Sequence, residues 1–241
     1  MVMCINFIGE IINIIVKVGV IVFPGSNCDR DMFHVLADVF DFDAQYYWHE
    51  KGLPDNIDAV VLPGGFSYGD RLRAGVIAAN SPVINDVKKL ANRGIPILGV
   101  CNGFQILVES NLLPGVLLKN NSLNFMCQWT NLIVKNNKTP FTNKLKLNQK
   151  IPIPIANGEG RYYADPQLVR ELKKHDQIVF TYENYVNGSV EQIAGICNEN
   201  GNVIGMMPHP ERAAEGLLNP IDNKPSSLIF ESLLHTMGVK N

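Results

Sequence analysis

The sequence predicts an α/β protein: a mostly parallel central sheet with helices on both faces and a few antiparallel strands added. Three observations carry that expectation. Short apolar runs that fit buried strands recur at 17–23, 57–62, 96–100 and 203–207. Segments with helical apolar spacing alternate with them, at 30–40, 81–93 and 104–113. With 241 residues, 46% hydrophobic and 18% charged, the chain can bury one sizeable core.

The elements follow in order. Residues 1–16 are apolar and Ile-rich, but lack a basic start and a small-residue cleavage site, and Glu10 interrupts them. Asn13 and Lys17 leave the run too short for a membrane span. Because 18–23 is a complete strand without them, 1–16 are expected outside the fold, with an amphipathic surface helix as the alternative. Residues 17–241 are expected to form a single domain. The first strand ends at Pro24-Gly25-Ser26-Asn27-Cys28-Asp29, with Ser26, Asn27 or Asp29 as helix cap. Met32, Val35, Leu36 and Val39 share one face of the helix that follows, and His34 faces solvent. A short strand at 44–49 ends in His49, read as a surface imidazole.

The strand at 57–62 runs into Pro63-Gly64-Gly65-Phe66-Ser67-Tyr68-Gly69-Asp70. Paired glycines after a parallel strand place backbone amides near 64–66 where ligands bind such sheets. Arg71 and Arg73 then open a helical region to Ala79; they salt-bridge on the surface, bind a ligand carboxylate or face a partner. A helix follows over 81–93, closed by Gly94. Beyond Pro114-Gly115 the pattern changes to strands at 123–134, 150–156, 177–182, 193–198 and 203–207, with a helix at 165–174. Pro152 and Pro154 demote their strand to an edge. A final helix spans 226–237, with Leu228, Ile229, Leu233 and Leu234 inward.

Composition excludes several classes. Net charge is −2 and no Lys/Arg cluster occurs, which argues against a nucleic-acid surface. Five cysteines without regular spacing or a Cys-x-x-Cys pair fit neither a disulfide framework nor a zinc site, so no metal is expected. Reduced thiols fit a cytoplasmic protein with no membrane partner.

The chemistry concentrates at Gly99-Val100-Cys101-Asn102-Gly103-Phe104-Gln105. Strand, tight turn and helix form a nucleophile elbow with a thiol where hydrolases carry a hydroxyl. The helix N-terminus favours thiolate and offers amides to an oxyanion. Cys4, Cys28, Cys127 and Cys197 read as small buried hydrophobes. The base is His209 in Pro208-His209-Pro210-Glu211. In an extended segment Glu211 projects to the same side as His209 and can orient its ring. His235 is read as a favourable charge at a helix end.

These strings together resemble the class I glutamine amidotransferases, and the resemblance covers 17–239. It implies the flavodoxin-like fold of that family and a triad of Cys101, His209 and Glu211. The Phe66-Ser67-Tyr68-Gly69-Asp70, Ser26-Asn27-Cys28-Asp29 and Gly158-Glu159-Gly160 strings are similar to the purine-biosynthetic branch of the family. There the thiolate attacks the glutamine carboxamide, and ammonia passes to a synthase that amidates formylglycinamide ribonucleotide. The resemblance implies an oxyanion hole at the amides of Gly65 and Asn102, and contact between Gln105 and glutamine. It further implies a large synthase subunit as partner, which uses ATP and magnesium, and a small bridging subunit. This chain has no Gly-x-x-x-x-Gly-Lys loop, and no cofactor is expected on it. Three positions depart from the pattern: Arg71 stands where the branch usually has Tyr, Ala74 where it usually has Cys, and Asn157 where it usually has His. Two rival readings keep the elbow: a protease- or deglycase-like thiol hydrolase, and a silent docking subunit.

Overall fold

The computed structural model describes residues 15–220 and 226–239, and the backbone of two short strands, β1 (Cys4–Ile5) and β2 (Ile11–Ile12). These two pair only with each other, antiparallel; the rest of 1–14 lies outside the described residues. Among the described residues the core begins at Val16, 3% exposed. Strands β3 (Lys17–Val22), β4 (Asp43–Trp48), β5 (Ala59–Leu62) and β6 (Ile97–Val100) alternate with helices α1 (Asp29–His34), α2 (Val83–Asn92) and α3 (Asn102–Glu109). Then come β7 (Val116–Leu118), β8 (Met126–Val134), β9 (Lys150–Asn157), β10 (Arg161–Tyr163), α4 (Pro166–Lys174), β11 (Ile178–Tyr182), β12 (Ile193–Cys197), β13 (Val203–Met206) and α5 (Leu228–Thr236).

One nine-stranded sheet runs β4-β3-β5-β6-β13-β12-β11-β8-β9. From β4 to β13 the pairings are parallel; from β13 to β9 they are antiparallel. The central parallel strands β5, β6 and β13 are buried along their whole length, which is why they read as continuous apolar runs. Strand β9 alternates, with Ile151, Ile153 and Ile155 inward, and it lies at the sheet edge as its prolines require. Register fixes the site: Leu62 of β5 and Gly205 of β13 both lie opposite Gly99 of β6. The loops leaving those three strands therefore open side by side.

Several expectations change. The region 71–79 is not helical: Tyr68, Gly69, Asp70 and Leu72 have φ of 54°, 68°, 53° and 69°, which an α-helix cannot contain, and only a 3₁₀ turn at Ala78–Asn80 remains. Helix α1 continues into a π turn, Val35–Val39, in which Phe40 N–H bonds to Val35 O. The wider turn rotates the last residues, and Val39 is exposed. Cys28 stands at the N-cap without a side-chain cap bond, while Ser26 Oγ accepts from Phe23 N–H. His49 is buried, stacked on Phe23 and bonded to Tyr68 Oη at 3.2 Å. Leu228 is only partly buried, whereas Ile229, Leu233 and Leu234 are in the core. Strands β7 and β10, absent from the sequence pattern, form a small antiparallel pair.

Candidate active site

Cys101 links β6 to α3 with φ 52° and ψ −106°. A β-substituted residue held there stores roughly 1–3 kcal/mol of strain. Its N–H donates to Met206 O at 2.8 Å and its carbonyl accepts from Gln105 N–H at 3.1 Å, so β13 and the first turn of α3 both grip the elbow. Gly103 is needed because a Cβ there would lie 1.9 Å from Leu62 O. The thiol is 6% exposed, with Sγ 3.6 Å from Ala156 O. It sits at the amino end of α3, whose first amides lack helical acceptors.

His209 Nδ1 and Glu211 Oε1 are 2.6 Å apart, and both residues are at most 2% exposed. The pair meets differently from the extended arrangement expected. His209 itself is extended, at φ −104° and ψ 91°, but Pro210–Arg212 closes a 3₁₀ turn that folds Glu211 back under the ring. His209 N–H anchors the turn to Pro154 O of β9 at 2.9 Å. Burial disfavours the imidazolium, yet the Glu211 carboxylate and then the Cys101 sulfur outweigh it, and the ring pKa lies well above its ordinary value. His209 Nε2, the nitrogen left for chemistry, is buried without a hydrogen-bond partner, as is Glu211 Oε2. The space beside Gly64 shows how tightly these parts converge. A Cβ there would lie 2.8 Å from His209 Cε1, 3.1 Å from Cys28 Sγ and 3.4 Å from Cys101 Cβ.

A cavity of about 250 Å³ opens onto Cys101, with Gly65, Gln105, Asp70, Asn157 and Glu159 in its wall. Gln105 is already engaged: its Oε1 accepts from Asn102 Nδ2 at 2.8 Å and its Nε2 donates to Glu159 O at 2.9 Å. Asn102 Oδ1 accepts from Ser67 N–H at 3.1 Å. These side chains tie the elbow to the 67–70 and 158–160 loops, and Gly65 lines the cavity. Asp70 is pushed up to about 6 by burial and the nearby Glu159 charge. Arg73 forms a bidentate ion pair with Glu109 of α3, the surface option among the three considered for it. Cys127 is exposed, contrary to expectation. Cys197 is inert, its thiol pushed up to about 12 by burial.

A family model for the CobB/CobQ-like glutamine amidotransferase domain matches residues 15–235. The chain belongs to the glutamine amidotransferase family. It is 49% identical over 232 residues to the phosphoribosylformylglycinamidine synthase subunit PurQ of Salinibacter ruber, covering 92% of this chain and 97% of that one. It superposes on a chain of the PurLQS structure from Thermotoga maritima with TM-score 0.83 and 45% identity, over 93% of this chain and 100% of that chain. A glutamine amidotransferase from Thermotoga maritima, 15% identical with TM-score 0.56 over 94% and 84% of the two chains, shares the fold.

The amidotransferase pattern and the structure differ in how much they explain. Ala74 is buried in the core and touches no part of the triad's hydrogen bonding. Asn157, 3% exposed, lines the cavity with neither Oδ1 nor Nδ2 paired. Sequence reasoning gives it no role, because an isolated Asn after a strand looks like turn chemistry. Cys28 likewise reads as core filling, and its proximity to His209 has no local sequence signal.

Proposed function

We propose that this chain is the glutaminase subunit of phosphoribosylformylglycinamidine synthase in purine biosynthesis. Cys101, as thiolate, attacks the side-chain carboxamide carbon of glutamine. The amides of Gly65 and Asn102 receive the oxyanion, each donor typically lowering the barrier by about 2.7–4 kcal/mol. His209 Nε2 takes the thiol proton and returns it to the departing nitrogen, which leaves as ammonia. Water, deprotonated by the same nitrogen, then cleaves the γ-glutamyl thioester to glutamate and free thiol. Glu211 holds the ring in the required tautomer and stabilises its charged form.

The observation that carries this reading is the strained elbow thiol beside an imidazole already bonded to a buried carboxylate. Ammonia passes to the large synthase subunit, which uses ATP and magnesium to amidate formylglycinamide ribonucleotide, with a small third subunit bridging the complex. This chain itself carries no cofactor, and it binds neither nucleic acid nor membrane. Phe66, Leu123 and Phe125 are exposed and line the cavity, an apolar rim suited to a covering partner. Among the described residues no helix is long and apolar enough to cross a membrane; the setting we assign is cytoplasmic.

The test is labelling with a glutamine-shaped chloroketone, read by peptide mass mapping, with and without synthase and with excess glutamine as competitor. The expected result is one adduct, on Cys101, blocked by glutamine. Labelling of Cys28 or Cys127 instead, or none even with synthase present, would overturn the reading.

A further inference from the structure

Beyond the triad, the fold brings a second thiol to His209. We propose that Cys28, His209 and Glu211 form a binding site for a thiophilic divalent cation such as Zn²⁺, and that its occupation switches off turnover. Cys28 lies 181 residues from His209 in sequence, but one ligand atom from each of the three residues falls within 4.8 Å of the other two. All three are at most 3% exposed.

The donor chemistry fits. One thiolate, one imidazole and one carboxylate suit Zn²⁺ and its neighbours, and not the all-oxygen preference of Mg²⁺ or Ca²⁺. A thiolate and a carboxylate neutralise the +2 charge, which matters at a site so deeply buried. Bonds of about 2.0–2.3 Å put tetrahedral ligand atoms about 3.3–3.8 Å apart, so taking up an ion draws the three groups together and displaces the 2.6 Å bond between His209 Nδ1 and Glu211 Oε1. Two of its buried polar atoms stand without partners, His209 Nε2 and Glu211 Oε2. Arg212 Nη2 approaches Cys28 Sγ at 3.1 Å and donates to it, a second-layer bond that orients the sulfur. Binding releases the Cys28 proton where the thiol is still protonated; no electron is transferred. The fourth position remains for water or the Cys101 sulfur. An imidazole held by the cation can no longer carry a proton between thiol and leaving nitrogen.

Metal binding does not depend on the glutaminase reading; only the loss of turnover rests on it. The two are separated by titrating the metal-free full-length chain with Co²⁺ and following the near-ultraviolet thiolate-to-cobalt band. We expect one equivalent to produce the band, Zn²⁺ to abolish it, Cys101→Ser to keep it and Cys28→Ser to lose it. With synthase present, Zn²⁺ should lower glutamine hydrolysis at least tenfold and a chelator restore it. The same inhibition, relative to its own metal-free rate, should weaken at least tenfold in Cys28→Ser. No band in the parent, or a band lost in Cys101→Ser and kept in Cys28→Ser, would overturn the site. A band with no loss of turnover would overturn the switch. A band in a chain that hydrolyses no glutamine even with synthase supports the metal site and overturns the glutaminase reading instead.

Discussion

Replacing Glu211 with Gln removes one charge and little else. The two side chains have nearly the same volume, and the Gln carbonyl can still accept the proton on His209 Nδ1, so the tautomer is kept. What is lost is the charged half of a 2.6 Å hydrogen bond between groups at most 2% exposed. Such bonds contribute about 1.5–3 kcal/mol, and solvent does little to screen this one. At about 1.4 kcal/mol per decade, kcat should fall roughly 10- to 150-fold with KM nearly constant. The sign of the titration follows. Glu211 is among the groups that raise the His209 pKa against burial, so its loss lowers that pKa. A less basic imidazole takes the Cys101 proton less readily. Alkylation of Cys101 by iodoacetamide near pH 7 should slow in parallel with kcat. Steady-state glutamine hydrolysis with the synthase present measures the first effect, and alkylation rates across pH measure the second. A kcat within threefold of the parent, with an unchanged alkylation profile, would refute the assigned role of Glu211.

Three further outcomes follow from single contacts. Gly103→Ala drives a methyl group against Leu62 O; overpacking of this kind costs about 1–3 kcal/mol, and at about 2–4 °C per kcal/mol calorimetry should show Tm lower by several degrees. Asp70→Asn removes a carboxyl raised to about 6 from its ordinary 3.8 by burial and Glu159. The folded state holds that proton more tightly than the unfolded state, so the parent loses stability as pH rises from about 4 through 6. The Asn variant should therefore melt higher than the parent at pH 7–8 and match it below pH 4 in thermal-shift scans. Asn157→Ala deletes a buried amide with no protein partner; Tm should hold or rise while KM for glutamine rises, and the opposite pattern would make Asn157 a packing residue.

Much of this arrangement is legible in the sequence because its physics is local. Strands covered on both faces need apolar residues at every position, so β5, β6 and β13 stand out as unbroken runs. Pro152 and Pro154 cannot donate to a ladder, so they announce the sheet edge that β9 occupies. Gly99, Cys101 and Gly103 mark an elbow because only small neighbours let a strand turn into a helix so sharply. The loop after β5 is different. Its left-handed residues include Tyr68, Asp70 and Leu72, which carry no glycine signature, so the pattern suggests a helix where none can form. His49 looks like a surface residue until Phe23 and Tyr68 enclose it. The turn at Pro210–Arg212 replaces an extended segment, yet the i, i+2 pairing of His209 and Glu211 survives, since both geometries bring those side chains together.

Gly64 is where local and long-range information meet, and it supports a last prediction. The sequence marks it only as half of a glycine pair. In the structure its missing side chain is the gap in which Cys28, Cys101 and His209 come together. Its backbone does not require glycine: its φ lies outside the left-handed range of the neighbouring Gly65, at 148°. Gly64→Ala should therefore fold, with the added methyl 2.8 Å from His209 Cε1 and 3.1 Å from Cys28 Sγ. Carbon atoms rest at about 3.5–4.0 Å, so the ring must retreat by roughly half an ångström or more. Misplacement of about 1 Å can cost as much as 10²-fold in rate, so kcat should fall about tenfold. The loss should appear in kcat rather than KM, because Gly65 and Gln105, not Gly64, face the cavity. The same shift should weaken Co²⁺ binding at Cys28 and His209. A variant with parental kcat and parental cobalt affinity would mean that the imidazole is positioned by Glu211 and Pro154 alone, and that the gap at Gly64 is incidental.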